Sequence, residues 1–272
     1  MVMIGHLKKM QVGVNAGVAQ YGMRLDEQLF ELNPYIGKTI HMEFQGEIHC
    51  LHCGRQTKKS FNQGYCFPCS QKLAACDLCI LKPERCHFHL GTCREPDWAL
   101  AHCMVEHIVY LANSSGIKVG LTRHSQIPTR WLDQGAGQAL PIYRCKNRLL
   151  AGLLEVAIAQ YIADKTDWRK LLKGDSEPRD LIRQRNDLWN KLPPFEAELA
   201  KSHGEQSFTR IDEVVQSFKF PVQKYPEKIS SWSFDKTPHV HGQLLGIKGQ
   251  NLILDSGVIN IRKLTSYKIS FT

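Results

Sequence analysis

Nine of the ten cysteines crowd into the 54 residues from Cys50 to Cys103, and this crowding limits what the chain can fold into. No apolar run reaches the about 18 residues of a membrane span, and the start lacks the features of a signal peptide. We therefore expect a cytoplasmic protein. Because disulfides are rare in a reducing compartment, thiols this close together indicate metal ligation.

Two pairs of these cysteines have the spacing of a tetrahedral zinc site. Two residues separate Cys50 from Cys53 and Cys66 from Cys69, and twelve residues lie between the pairs. Two intervening residues allow one turn to present both sulfurs to the same ion. Four thiolates leave no open coordination position, so the sequence predicts a structural zinc here and not a catalytic one.

A second set, Cys76, Cys79, Cys86 and Cys93, predicts a second four-thiolate site. Its ligands stay open because other donors are close in the sequence. These donors are His87, His89, His102, Cys103 and His107. We expect one or two structural zinc ions in total. A third reading of the clustered thiols is a redox or metal sensor.

The middle of the chain has patterns of both strand and helix. Apolar runs at 108–112 and 117–121 flank a polar turn and predict a β-hairpin. Apolar residues at helical spacing follow Arg148, with Asn147 as the expected N-cap. A second helix is predicted from Arg179 to Leu192, where two prolines follow.

The segment His107–Tyr161 resembles the GIY-YIG nuclease superfamily. Residues 108–110, ending in tyrosine, occupy the place of the first motif, and residues 118–120 match the second in their apolar residue and glycine. Arg130 falls where the superfamily has an arginine, and Glu155 lies on the following helix. The resemblance implies a small sheet with flanking helices and an endonuclease that uses one divalent ion.

The residues at these positions suit phosphodiester hydrolysis. Glu155 would bind Mg²⁺ or Mn²⁺, Arg130 would hold the phosphate, and Tyr110 would accept or relay a proton of the attacking water. Lys118 stands where the second motif has tyrosine, and its ammonium could hold a phosphate instead. The spacing also allows Arg123 in the place of Arg130. A carboxylate within the apolar run around Glu155 requires a cation or a hydrogen bond.

The net charge of the chain and its resemblance to a known family indicate which partners to expect. Lys and Arg number 35 against 26 Asp and Glu, which gives a net charge of +9 and favours polyanionic partners. We expect nucleic acid as the partner, with DNA or RNA and the oligomeric state left open. The first hypothesis is a Mg²⁺-dependent phosphodiesterase, and the alternative is an inactive adaptor for nucleic acid or protein. Residues 30–175 also resemble a family of bacterial zinc-ribbon proteins of unknown function.

Taken together, these patterns predict an α+β protein with small β units at both ends. The C-terminal β-meander is expected to pair with the N-terminal strands. A helix-ending turn is predicted at 164–168. The predicted segments are 1–49 as an N-terminal β unit, 50–107 as the zinc-binding segment, 108–204 as the GIY-YIG-like α/β domain, 205–239 as a linker and 240–272 as the β-meander.

Overall fold

The computed structural model describes residues 2–162 and 167–272, and within them the strands form three antiparallel sheets. Most of the turn predicted at 164–168 lies outside the described residues. The strands are β1 (Met3–His6), β2 (Gln11–Asn15), β3 (Val18–Leu25), β4 (Gln28–Glu31), β5 (Thr39–Ile48), β6 (His107–Asn113), β7 (Ile117–Arg123), β8 (Gln138–Cys145), β9 (Phe208–Arg210), β10 (Gln216–Ser217), β11 (His239–Lys248), β12 (Asn251–Leu254), β13 (Gly257–Asn260) and β14 (Tyr267–Phe271). The helices are α1 (Phe67–Lys72), α2 (Leu78–Leu81), α3 (Pro96–His102), α4 (Thr129–Asp133), α5 (Arg148–Ala159), α6 (Trp168–Leu171), α7 (Leu181–Lys191) and α8 (Pro193–His203). None of the helices in these two ranges is long and apolar enough to cross a bilayer.

A six-stranded sheet joins the two ends of the chain. Its strand order is β1-β14-β5-β11-β12-β13, so β14 lies between two N-terminal strands. Tyr267, Ile269 and Phe271 alternate along β14 and are buried, as expected for a strand with one face on the core. The predicted pairing of the C-terminal meander with N-terminal strands is confirmed. A three-stranded sheet, β2-β3-β4, packs onto the same core.

The third sheet has the strand order β10-β8-β6-β7, and helices pack on it. The predicted hairpin is present as β6 and β7, whose register pairs Tyr110 with Gly120. Because side chains alternate along a strand, Val109 and Leu111 face α5, whereas Tyr110 faces Trp131 and α4. The predicted linker supplies β9 and β10, which both pair with β8.

The long helix α5 begins and packs as its sequence indicates. The side chain of Asn147 accepts a hydrogen bond of 3.1 Å from the backbone N–H of Leu150, which confirms the predicted N-cap. Leu154 and Ile158 are fully buried against the sheet. Burial of each such side chain contributes about 1.5–3 kcal/mol to folding. The other predicted helix is present as α7, and Pro193 starts α8 because a proline is tolerated in the first turn.

The cysteine segment consists of short helices and turns. Its helices α1, α2 and α3 have between four and seven residues each. Such short helices are not stable by themselves, so their position depends on tertiary contacts or on metal ligation. The turn Pro83–Arg85 packs directly on α5. The segment therefore packs on the helix that carries Glu155.

His107 begins β6 and is completely buried. Its Nδ1 lies 2.8 Å from the carbonyl oxygen of Val105, to which it donates, while its Nε2 has no hydrogen-bond partner among the described residues. Burial lowers the pKa of His107 to about 4, although the bond to Val105 opposes this change. The imidazole is therefore neutral in the folded protein at pH 7.

A histidine of this kind predicts a specific loss of stability in acid. Below its ordinary pKa of 6.5 the unfolded chain takes up a proton that the folded chain does not, so stability is lost as the pH falls from 6.5 toward 4. The loss between pH 7 and pH 5 is about 2 kcal/mol. We expect His107→Leu to reduce the pH dependence of urea unfolding by this amount. His203→Leu, at an exposed position, is the control and should behave as the wild type. An equal slope for wild type and His107→Leu would contradict the prediction.

Candidate functional site

The first four predicted zinc ligands come together in the structure. The sulfur atoms of Cys50, Cys53, Cys66 and Cys69 all lie within 4.8 Å of one another, and those of Cys53 and Cys66 are 3.7 Å apart. A tetrahedral zinc with Zn–S bonds of about 2.3 Å has sulfur atoms about 3.8 Å apart, whereas a disulfide bond is about 2.05 Å long. The spacing therefore fits a four-thiolate zinc site.

The backbone around this cluster favours ionised sulfur. Burial opposes ionisation of Cys50, but hydrogen bonds from the backbone of Cys53, Cys66 and His52 outweigh it and lower the pKa of Cys50 to about 6. In contrast, burial together with the neighbouring sulfurs raises the pKa of Cys69 to about 12. All four groups can be thiolates at pH 7 only if a cation balances their charge. The cluster could thus hold a structural zinc ion.

A hydrogen-bonded chain fixes the strand that leads into this cluster. His6 Nδ1 lies 2.9 Å from Asp26 Oδ1, and His6 Nε2 lies 2.7 Å from His49 Nδ1. The series of polar contacts continues at Glu47, which contacts His49 and accepts a hydrogen bond of 2.8 Å from Lys268. These hydrogen bonds and contacts link β1, β5 and β14 just before Cys50 in the sequence. The position of the first thiolate therefore depends on the six-stranded sheet.

The second predicted set is divided by the structure. Cys79, Cys86 and Cys93 line one small cavity, together with Cys103. Cys76 is not among the residues that line this cavity. Instead, its carbonyl accepts a hydrogen bond of 3.3 Å from the side chain of Asn62, and burial, with a smaller effect of the Cys50 charge, raises the pKa of its thiol.

Two of the other predicted phosphate-site residues, Arg130 and Glu155, influence Tyr110 through their charges. The Tyr110 hydroxyl donates a hydrogen bond of 2.9 Å to Gln134 Oε1. Burial raises the pKa of Tyr110 to about 12; the Arg130 guanidinium acts against this change, and the Glu155 carboxylate adds to it. At pH 7 the hydroxyl is therefore neutral and serves as a hydrogen-bond donor.

Gly120 makes this arrangement of Tyr110 sterically possible. A Cβ at position 120 would lie 2.8 Å from both Cζ and the hydroxyl oxygen of Tyr110. Only glycine lets the tyrosine ring cross its neighbouring strand so closely. The sequence indicated this glycine through its position in the second motif, and the structure gives the physical reason for it.

Lys118, the fourth predicted residue, lies on the same face of the sheet. It pairs with Ala112 in the register of β6 and β7 and is 5% exposed. It lines a cleft of about 410 Å³ together with Asp133 and Gln134, and Gln134 is the residue that accepts the hydrogen bond of Tyr110. Arg123, the alternative to Arg130, is an odd number of positions from Lys118 and therefore falls on the opposite face of β7.

A larger basic cleft lies beside α4. Its volume is about 860 Å³, and it is lined by side chains from the N-terminal strands, the cysteine segment and the C-terminal sheet. The cations along it are Lys8, Lys9, Arg24 and Arg262. Burial lowers the pKa of Arg262, with a further contribution from the charge of Arg130. No local sequence signal marks this cleft, because its cations come from both ends of the chain.

The fold and this site define a mixed α/β protein with a four-cysteine cluster that could hold structural zinc. The chain belongs to the DUF2797 family, which is described as a protein family of unknown function and whose family model matches residues 37–269. The matched range includes the cysteine cluster, the residues Tyr110, Lys118, Arg130 and Glu155, and most of the six-stranded sheet. No curated protein and no solved structure matches the chain. Membership of a family of unknown function is thus confirmed, while the resemblance to GIY-YIG nucleases stays a prediction.

Proposed function

We propose that the protein binds nucleic acid along the basic cleft beside α4. The observation that supports this proposal most directly is that four Lys and Arg side chains line one open cleft with a volume of about 860 Å³. No carboxylate is among the described residues that line it. A groove with this charge attracts a phosphate backbone and releases counterions when it binds.

The composition of the cleft favours backbone contacts over base readout. Amide and hydroxyl groups of Asn62, Gln63 and Thr129 lie among the cations, and each can donate a hydrogen bond to phosphate. Tyr65 adds an aromatic ring on which a base could stack. Lys9 is already paired with the buried carboxylate of Asp133, so its role is partly structural. We therefore expect binding with weak sequence preference.

Two cations of the cleft can be neutralised without exposing a buried acid. Among the residues that the structure describes, Lys8 pairs with the exposed carboxylate of Glu27, whose charge Arg24 also influences. We expect Lys8→Gln/Arg24→Gln to weaken binding to duplex DNA and to lower the slope of log K against log salt by about 2. Fluorescence anisotropy at several salt concentrations measures both quantities.

The matched control removes the same charge elsewhere. Lys201 and Lys228 are exposed and do not line the cleft. We expect Lys201→Gln/Lys228→Gln to change the slope by less than about 0.5. If both double variants lost affinity equally, binding would depend on net charge alone and the proposed cleft would be wrong. Single-stranded DNA and RNA probes of equal length decide which nucleic acid is preferred.

A second candidate function is a phosphodiesterase, and the influence of the Arg130 and Glu155 charges on Tyr110 favours it. Two strands, then the helix α4 with Arg130 and later the helix α5 with Glu155, also follow one another in the order that the resemblance to GIY-YIG nucleases implies. In this function Arg130 would bind a phosphoryl oxygen, and Lys118 would hold a neighbouring phosphate. Glu155 would hold Mg²⁺ or Mn²⁺, which would supply charge neutralisation on the phosphoryl group.

The protonation state of Tyr110 limits its part in such a reaction. With a pKa of about 12, the hydroxyl keeps its proton at pH 7 and can orient a water or a phosphate oxygen as a donor. It can do so only after its bond to Gln134 is exchanged for one to substrate. Cleavage therefore requires a rearrangement of this side chain that binding alone does not.

Cleavage is tested with labelled single-stranded, duplex and branched DNA and RNA, with and without Mg²⁺ or Mn²⁺. We expect Glu155→Gln to lower a metal-dependent cleavage rate by about 10²- to 10³-fold while leaving binding unchanged. Glu198→Gln, an exposed position on α8, is the matched control and should cleave as the wild type does. Binding without any cleavage by the wild type would leave the adaptor as the function. Cleavage that survived Glu155→Gln would remove the proposed catalytic group.

A further inference from the structure

Four cysteines from different turns of the cysteine segment surround one small cavity. Cys79 lies in α2, Cys103 follows α3, and Cys86 and Cys93 lie in the turns between these helices. The cavity has a volume of about 10 Å³. This is close to the space that one water-sized sphere requires, so the cavity has room for a single ion and for no larger ligand.

We propose that Cys79, Cys86, Cys93 and Cys103 form a second four-thiolate metal site, with zinc as its ion. Cys103 thereby takes the place that sequence spacing gives to Cys76. Thiolates are soft ligands, and four of them in a closed site select zinc over hard cations such as Mg²⁺. The site does not depend on the proposed nucleic-acid binding.

The charge of the surroundings supports an anionic centre at this position. A zinc ion with four thiolates carries a net charge of about −2, which needs a nearby cation when it is buried. Arg148 supplies one: thiolates at Cys103 and Cys79 lie near enough to stabilise its charge. Its Nη2 donates a hydrogen bond of 2.7 Å to the carbonyl of Ile80, whereas its buried Nε has no partner among the described residues. A metal-bound thiolate would accept from this nitrogen.

Other possible metal ligands, Asp77 and His87, lie in the same place. Asp77, Cys79 and His87 offer ligand atoms within 4.8 Å of one another. However, Asp77 accepts a hydrogen bond of 3.2 Å from the backbone of Cys79 and pairs at 2.7 Å with Arg94. The Nδ1 of His87 is 2.7 Å from the hydroxyl of Thr92. The contacts of Asp77 engage its carboxylate, whereas the bond at Nδ1 leaves Nε2 of His87 as an alternative ligand, which the variant His87→Ala tests.

The site would connect the cysteine segment to α5. The backbone N–H of Arg148, the first residue of α5, donates a hydrogen bond of 2.8 Å to the carbonyl of Cys103. The side chain of the same arginine reaches Ile80, next to Cys79. A metal ion shared by these two regions would fix the start of α5, and with it the helix that carries Glu155.

Metal content of the full chain separates the two ligand sets. We expect about two zinc ions per chain for the wild type and for Cys76→Ser, and about one for Cys103→Ser. Substitution with Co²⁺ identifies the ligands, because thiolate-to-cobalt charge-transfer absorption grows with the number of thiolates. His87→Ala should keep both ions and an unchanged cobalt spectrum. One ion in the wild type, a lost ion in Cys76→Ser, or a lost ion in His87→Ala would each overturn the proposal.

A measurement on the wild type covers the case in which Cys103→Ser fails to fold. Alkylation of the zinc-loaded chain, read by mass spectrometry at each cysteine, should leave the four proposed ligands unmodified and should label Cys76. A chelator added in steps should then expose Cys103 at the same concentration as Cys79, Cys86 and Cys93. Reaction of Cys103 that did not depend on the chelator would show that it is not a ligand.

Discussion

Cys53→Ser is expected to remove about one zinc ion per chain and to lower the free energy of unfolding by more than about 3 kcal/mol. Cys53 is exposed and its sulfur lies 3.7 Å from that of Cys66, so the substitution changes ligation and removes little packing. Binding of structural zinc contributes about 10 kcal/mol or more in small domains, whereas an ordinary substitution costs about 1 kcal/mol. Metal analysis and chemical denaturation measure the two effects.

Two variants show whether this effect comes from the metal. Cys145→Ala removes a buried thiol in β8, far in sequence from the cysteine segment, and should leave the metal content unchanged. Cys53→His offers another zinc ligand at the same exposed position and should restore much of the lost stability. If Cys53→Ser kept its zinc, or lost it with no change in stability, the structural role of this cluster would be refuted.

Features that depend on neighbouring residues could be predicted from the sequence. The zinc cluster follows from two-residue spacings, the hairpin from two apolar runs, and the start of α5 from the cap at Asn147. In each case the interacting groups lie within a few positions along the chain, or in two short motifs that bind one ion. The interactions that stabilise these features are therefore formed by residues close in the sequence, and a sequence pattern can reveal them.

Features that join distant residues could not be predicted in this way. The basic cleft combines Lys8 and Arg24 with Arg262, and only the six-stranded sheet brings these positions together. Likewise, spacing favours Cys76 as a partner of Cys79, but the fold directs Cys79 to a cavity lined by Cys103. The order of Tyr110, Arg130 and Glu155 indicated a site, yet the bond that holds Tyr110 comes from Gln134.

The contact between α5 and the cysteine segment leaves no room for a side chain at Gly152. A Cβ there would lie 2.4 Å from the backbone nitrogen of Glu84 and 2.6 Å from the carbonyl carbon of Pro83. Both are backbone atoms and cannot rotate away. Since the helix itself would gain about 1 kcal/mol from alanine, the sign of the effect reports on this contact alone.

We therefore expect Gly152→Ala to lower the free energy of unfolding by about 3 kcal/mol, because the turn Pro83–Arg85 must move away from α5. Denaturation in urea measures this change. Gly13→Ala, where a Cβ would meet no atom within 4 Å, is the control and should shift stability by no more than about 0.5 kcal/mol. A Gly152→Ala protein that was more stable than the wild type would mean that the cysteine segment does not pack on α5 in solution. In that case the helix carrying Glu155 would have lost the support on which its proposed position depends.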